Sequence, residues 1–180
     1  MSRTKRFAHS LLSGYLLVGV TAIYSLLTFP LGLHFLSKEE FGLWNAVAMV
    51  AGLNLILIDL GMSGSISRIL IDHKDEKNSS NYGTVILTGI LVLSVQAVLI
   101  AALGSLLRFW SPGWLKIPEK FWPIFRILMI SQCIVLGTGY VGRIFGFILQ
   151  AHQRYDICNY LSAAGLVINF LALWIGFKLG

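Results

Sequence analysis

The chain has 180 residues, of which 56% are hydrophobic and only 12% are charged, and its formal net charge is +6. Soluble domains usually have about a quarter charged residues, so much of this surface is expected to face lipid. The Lys and Arg residues flank apolar runs instead of forming a basic face, which excludes nucleic acid as the expected partner. The composition therefore predicts an all-α integral membrane protein.

Five apolar segments are each long enough to cross a bilayer, which takes about 20 residues. The expected spans cover residues 7–36, 41–66, 83–107, 121–150 and 157–178. The first contains no acid, Lys or Arg, and it is too long for the core of a signal peptide. Pro30 in its outer part is expected to kink or thin the helix. The sequence thus predicts five transmembrane helices.

The connections between spans carry their own signals. Ser37 and Glu40 have the spacing of a capping box, which predicts that the second helix begins here. Residues 72–82 form the one strongly hydrophilic loop, whereas residues 108–121 are rich in Trp and Pro and are expected to lie at the membrane interface. The cations in residues 3–6 favour a cytoplasmic N-terminus, although the overall charge bias between the two sides is small.

Polar residues inside the spans follow helical periodicity. Spacings of seven and four place one polar stripe on the fourth span, and the first two spans carry similar faces. The members are Gln132, Gly139, Arg143, Gln150 and Arg154 on the fourth span, Asn45, Gly52 and Asp59 on the second, and Ser10, Gly14, Thr21, Ser25 and Thr28 on the first. Helix packing explains the small and hydroxyl residues adequately. A substrate cavity is the alternative interpretation.

Packing explains Arg143 less well, because a guanidinium stays charged and costs at least about 2.5–3.5 kcal/mol at the bilayer centre. Arg143 lies roughly 33 Å along a helix that starts at Phe121, so snorkelling to the inner interface is the competing explanation. Asp59 lies roughly 27 Å along the second helix, at a similar depth. Arg68 is nine residues further and points the opposite way in a continuous helix. These positions predict a contact between Asp59 and Arg143.

Two stretches resemble the Wzx-like oligosaccharide flippases. "EFGLWNAVAMVAGLNLILIDLGMSGSISR" is similar to the second-helix region of that family, and "LQAHQRYD" is similar to its segment before the fifth helix. The matching residues are Glu40, Phe41, Gly42, Leu43, Trp44, Asp59, Leu60, Gly61, Met62, Arg68, Leu149, Gln150, Arg154, Tyr155 and Asp156. The resemblance covers nearly the whole chain in span order.

The resemblance implies two helical lobes around a central cavity and alternating access. It implies a polyprenyl-pyrophosphate-linked oligosaccharide as cargo, moved outward across the bacterial plasma membrane. Five spans are less than one lobe, so residues 1–180 are expected to form the N-terminal part of a longer transporter whose C-terminal lobe is a partner. Fixed guanidiniums suit phosphate, and hydroxyl and amide side chains suit sugars. The candidate cavity residues are Arg143, Asp59, Arg68, Gln132, Asn45, Thr21 and Ser25.

Three other functions remain open. A multidrug or cation antiporter of the same superfamily often uses an acid in its first helix; that acid is absent here, but Asp59 could replace it. A small assembly subunit is compatible with the length. A membrane enzyme needs clustered acids or histidines for a metal, or a basic set for phosphate chemistry, and the acids of the polar loop fit a solvated charge run better. No enzyme activity, cofactor or metal site is therefore expected.

Overall fold

The structure is a computed structural model that describes residues 3–73 and 79–179. Its helices are α1 (Arg3–Phe35), α2 (Lys38–Asp59), α3 (Met62–His73), α4 (Ser79–Trp114), α5 (Trp122–Ala151) and α6 (Tyr155–Leu179), with a 3-10 turn at Glu119–Phe121. All of these helices except α3 are long and apolar enough to cross a membrane, and the described ranges contain no strand. The chain is an all-α membrane protein, as its composition predicts.

Some sequence predictions fall on residues for which the structure gives no description. Residues 74–78, the middle of the predicted hydrophilic loop, lie outside the described ranges. The side chains of Arg3, Lys5 and Arg6, which favour a cytoplasmic N-terminus, lie outside them as well. Membrane orientation consequently stays a prediction from the sequence.

The second span is shorter than the sequence suggests. The predicted span covers residues 41–66, but α2 ends at Asp59 and a separate helix begins at Met62. Leu60 and Gly61 between them have positive φ values of 40° and 81°. Glycine adopts this conformation easily, and such a residue is a common way to stop a helix. Asp59 and Arg68 therefore do not share one continuous helix, and the prediction of their opposite directions, which requires one, is wrong in that premise.

The other end of α2 is as predicted. Ser37 Oγ accepts a hydrogen bond from the Glu40 amide at 3.2 Å, and the Glu40 carboxylate accepts one from the Ser37 amide at 2.8 Å. This reciprocal pair satisfies two amides that the first helical turn leaves without a backbone partner. α1, in contrast, continues past Pro30 to Phe35.

The chain divides into two compact units. The first contains residues up to Phe41 together with those from His152 onward, and α1 packs on α6 in it. Three contacts follow the two helices in the same order, so they run parallel: Asn159 Nδ2 to Ser13 Oγ at 3.0 Å, Tyr24 Oη to Asn169 Oδ1 at 3.0 Å, and Phe35 stacked on Phe177 with ring centroids 5.6 Å apart. Polar and aromatic pairs thus hold this unit together, as is usual between membrane helices.

The second unit, Gly42–Ala151, is built around the antiparallel pair α4 and α5. Glycines on both helices allow the close approach. A Cβ at Gly104 would overlap the Cys133 side chain, and one at Gly137 would lie 3.4 Å from the Ala97 carbonyl oxygen. The hydrophobic effect does not drive helix association inside lipid, so close packing across small residues stabilises the crossing instead.

α2 and α3 pack on this pair. The first half of α2 shares a buried cluster with the start of α5 through Leu43 and Phe125, and its end shares another with Tyr140, so α2 and α5 run in the same direction. Asn54 donates to the Ile100 carbonyl of α4 at 3.0 Å. α3 adds Ile66 and Leu70 to the cluster that contains Tyr140. The end of α2 is thereby fixed against both α4 and α5.

Candidate functional site

The polar centre of the second unit is the carboxylate of Asp59, the last residue of α2. Its Oδ1 accepts hydrogen bonds from two hydroxyl groups, Ser63 Oγ of α3 and Tyr140 Oη of α5. Ser63 follows Asp59 by four residues, across the turn at Leu60 and Gly61, and lies at the start of the next helix. One carboxylate therefore joins three helices.

Arg143 faces the same carboxylate from α5. Its Nη1 lies 3.8 Å from Asp59 Oδ1, and the side chains of Arg143 and Asp59 are 45% and 30% exposed. This separation is an ion pair but exceeds the 2.7–3.2 Å of an ordinary N–H···O hydrogen bond. The Arg143 guanidinium carbon also lies 4.5 Å from the centre of the Tyr140 ring. A ring face and a carboxylate thus hold the cation, while its N–H groups stay available to another acceptor.

Tyr140 is the fixed part of this arrangement. The side chain is only 1% exposed and belongs to a buried cluster with Leu93 and Ile144. Tyr140 and Arg143 are three residues apart on α5, which places them on neighbouring parts of one helix face. Burial of the ring therefore fixes the position of the hydroxyl that donates to Asp59, and also that of the ring face that contacts the Arg143 guanidinium.

The end of α2 is secured from α4 by Gln96, which is nearly fully buried. Its Nε2 donates to the Ile58 carbonyl at 3.0 Å and lies 3.2 Å from Met62 Sδ. The last carbonyls of a helix have no partner within it, and an unpaired buried carbonyl is costly. Gln96 supplies one missing donor immediately before Asp59.

The structure brings together two of the seven candidate residues, Asp59 and Arg143, and the predicted contact between them is confirmed. The others lie elsewhere. Asn45 is exposed on α2, Gln132 is half-buried on α5, Arg68 is exposed on α3, and Thr21 and Ser25 are exposed on α1 in the first unit. Thr21 Oγ1 donates to the Leu17 carbonyl of its own helix at 2.8 Å.

The predicted stripe on the fourth span needs one correction. α5 ends at Ala151, so Arg154 does not continue its face. Gln153, with a φ of 55°, makes the turn between the helices, and Arg154 Nε lies 3.5 Å from Asp156 Oδ1 at the start of α6. The family-like segment around Arg154 is therefore a helix connection with a local ion pair.

Sequence reasoning missed Tyr140 and Gln96. A tyrosine in an apolar span resembles a core residue, and only its position three residues before Arg143 hints at a role. Gln96 is an isolated polar residue of the third span, and periodicity gives no partner for it. Chemically, the cluster can offer guanidinium N–H donors to an anion while Asp59 keeps both hydroxyl bonds and balances the positive charge.

A comparison with family descriptions matches residues 8–177 to one described as "Polysaccharide biosynthesis protein". Comparisons with curated proteins and with solved structures return no match. The matched region includes the Asp59–Arg143 cluster, the first four candidate membrane spans and all but the last two residues of the fifth. Members of the matched family are membrane transporters of polysaccharide precursors rather than enzymes. The chain belongs to the polysaccharide biosynthesis protein family, that of the Wzx-like flippases.

Proposed function

We propose that the protein flips a polyprenyl-pyrophosphate-linked oligosaccharide across the bacterial plasma membrane by alternating access. Family membership supports the general function, the movement of lipid-linked polysaccharide precursors. Arg143 carries the specific part of the proposal. It is the cation for the diphosphate, because a guanidinium keeps its charge and binds phosphate oxygens in pairs.

The single observation behind this role is the geometry at Asp59. Arg143 lies at ion-pair distance but beyond hydrogen-bond distance, and its side chain is nearly half exposed. Hydrogen bonds between an arginine and a carboxylate are about 2.7–2.9 Å long and frequently paired. Here Asp59 takes its hydrogen bonds from Ser63 and Tyr140, so the guanidinium can bind a phosphate without breaking them.

In this proposal residues 1–180 form most of the N-terminal lobe, with a cytoplasmic N-terminus. The substrate path lies between this lobe and a C-terminal lobe of the same transporter. Membrane lipids surround the exposed apolar faces of the spans. Gln132, Asn45, Thr21 and Ser25 each remain candidates for contacts with sugar hydroxyl groups, since their side chains offer donors and acceptors. Arg68, which only donates, remains a candidate for phosphate.

The test is complementation of a strain that lacks its own flippase, with the full-length protein and surface polysaccharide as the readout. Arg143→Gln is expected to abolish export, whereas Lys116→Gln, which removes an exposed cation from a connection, should not. Unchanged export with Arg143→Gln, at equal protein level, contradicts the proposed role.

A charge swap tests the pair itself. Asp59→Arg with Arg143→Asp should recover part of the folding or export that either single variant loses, because the two charges remain opposite. If the swap is as defective as each single variant, the pairing of Asp59 with Arg143 does not contribute to folding or export.

The antiporter alternative, in which Asp59 binds the coupling ion, is tested by measuring whether transport depends on a cation. The guanidinium beside Asp59 disfavours that role, since it repels a second cation.

A further inference from the structure

A second pair of arginines lies where α4 ends and α5 begins. The guanidinium carbons of Arg108 and Arg126 are 4.5 Å and 5.2 Å from the centre of the same ring, Phe109. Arg126 also lies 5.8 Å from the Trp122 ring. Two cations on one aromatic side chain repel each other, and cation–π attraction offsets only part of that repulsion.

Among residues 3–73 and 79–179, no carboxylate pairs with either arginine. The Nε atom of each is buried without a hydrogen-bond partner. Leaving a buried charged donor without an acceptor is among the more costly defects in a folded protein. Residues 108–126 contain four Lys or Arg residues and one Glu, so the excess of positive charge extends beyond the pair.

The surroundings hold the arginines in place. Trp122 Nε1 donates to the Ile117 carbonyl at 2.9 Å, which fixes the ring beside Arg126. The neighbouring tryptophans Trp110 and Trp114 are 79% and 87% exposed, as is usual for residues at the level of lipid head groups. Both arginines therefore lie near the end of their spans, at the depth where phosphate groups occur.

We propose that Arg108 and Arg126 form a binding site for one phosphate group, separate from the cluster at Asp59. Phosphate oxygens accept paired hydrogen bonds from guanidinium groups, and their negative charge supplies the missing compensation. The phosphate comes from an anionic phospholipid head group or from a lipid-linked diphosphate. Both sources present the same chemistry, and the site does not depend on the proposed role of Arg143.

The experiment measures binding to the purified full-length protein in detergent by native mass spectrometry. The probes are phosphatidylglycerol and inorganic pyrophosphate. Arg108→Gln with Arg126→Gln should weaken binding of the true ligand about tenfold or more, since each lost bond to a charged group is worth at least that. Lys38→Gln with Lys178→Gln removes the same charge from exposed positions outside residues 108–126 and should leave binding unchanged.

The two probes separate the sources. If Arg108→Gln with Arg126→Gln loses binding of phosphatidylglycerol only, and pyrophosphate does not displace the lipid from the wild type, the ligand is a lipid head group. If pyrophosphate displaces the lipid from the wild type, and the double variant loses this displacement, the ligand is the diphosphate. Equal affinity of the arginine variant and the wild type for both probes overturns the proposal, as does an equal loss in the lysine control.

A double substitution that keeps both charges covers the case in which Arg108→Gln with Arg126→Gln fails to fold. Arg108→Lys with Arg126→Lys retains both charges but lacks the planar fork of the guanidinium. Intermediate affinity supports binding by the fork, whereas wild-type affinity contradicts it. Thermal unfolding of each variant confirms that the compared proteins are folded.

Discussion

Replacing Tyr140 with Phe removes a single hydroxyl from the site and leaves the ring in place. The hydroxyl donates to the Asp59 carboxylate, and hydrogen bonds to charged groups contribute about 1.5–3 kcal/mol. Asp59 is 30% exposed, so water replaces part of the lost bond and the lower end, about 1.5 kcal/mol, is expected. The buried ring keeps its packing and its contact with the Arg143 guanidinium.

Tyr140→Leu separates the two contributions of this side chain. It removes the ring as well as the hydroxyl, so Arg143 loses a cation–π contact worth about 0.5–1 kcal/mol at a partly exposed site. The cavity left in the cluster around Leu93 and Ile144 adds a further cost of about 1–3 kcal/mol. Tyr140→Leu is therefore expected to be clearly less stable than Tyr140→Phe, and to impair export more severely because Arg143 is no longer held.

The assay is the free energy of unfolding of the full-length protein in detergent micelles, measured for a double-mutant cycle. Tyr140→Phe and Asp59→Ala should be non-additive by about 1 kcal/mol or more, because each removes the same bond. Tyr160→Phe, on the exposed side of α6, is the matched control and should change little. Additive effects of the first two substitutions refute the proposed link between the hydroxyl and the carboxylate.

Three further predictions concern stability, each read from unfolding in micelles. Gly104→Ala should destabilise the protein by about 1–3 kcal/mol because its methyl group overlaps Cys133, whereas Gly139→Ala has open space and should be neutral or stabilising; equal effects would contradict the close α4–α5 contact. Gln96→Leu should cost about 1–3 kcal/mol because a last-turn carbonyl of α2 loses its donor, and a neutral result would show that the donor is dispensable. Ser37→Ala should cost about 1 kcal/mol and speed amide hydrogen exchange in the first turn of α2; unchanged exchange there would count against the capping box.

Local signals explain what the sequence predicted well. The capping box needs only two residues at a fixed spacing, and the structure reproduces both of its hydrogen bonds. The Asp59–Arg143 contact followed from rise per residue alone, since both charges had similar depths in their helices. The membrane sets the depth at which each spanning helix begins and ends. The rise per residue along two separate helices is therefore enough to place two charges at the same level.

Predictions failed where backbone conformation or a partner's identity decided the outcome. An apolar run such as residues 55–58 gives no sign that a helix stops at Asp59, because the stop depends on two positive φ angles at Leu60 and Gly61. On α1, the side chains that hydrogen-bond to α6 are Ser13 and Tyr24, neither of which belongs to the predicted polar face. Periodicity identifies faces but does not show which one meets another helix.

The break after Asp59 leaves a backbone carbonyl for Gln96 to bind. A continuous helix would keep the Ile58 carbonyl within the helix; here Gln96 donates to it, next to the carboxylate to which Ser63 donates from the start of α3. Asp59 thereby has two hydroxyl donors without any contribution from Arg143. Binding of an anion to Arg143 leaves these bonds intact, and so does its release. In the proposed function, a phosphate would therefore bind to Arg143 and leave it without exposing an unpaired carboxylate, as a transporter that both binds and releases its cargo requires.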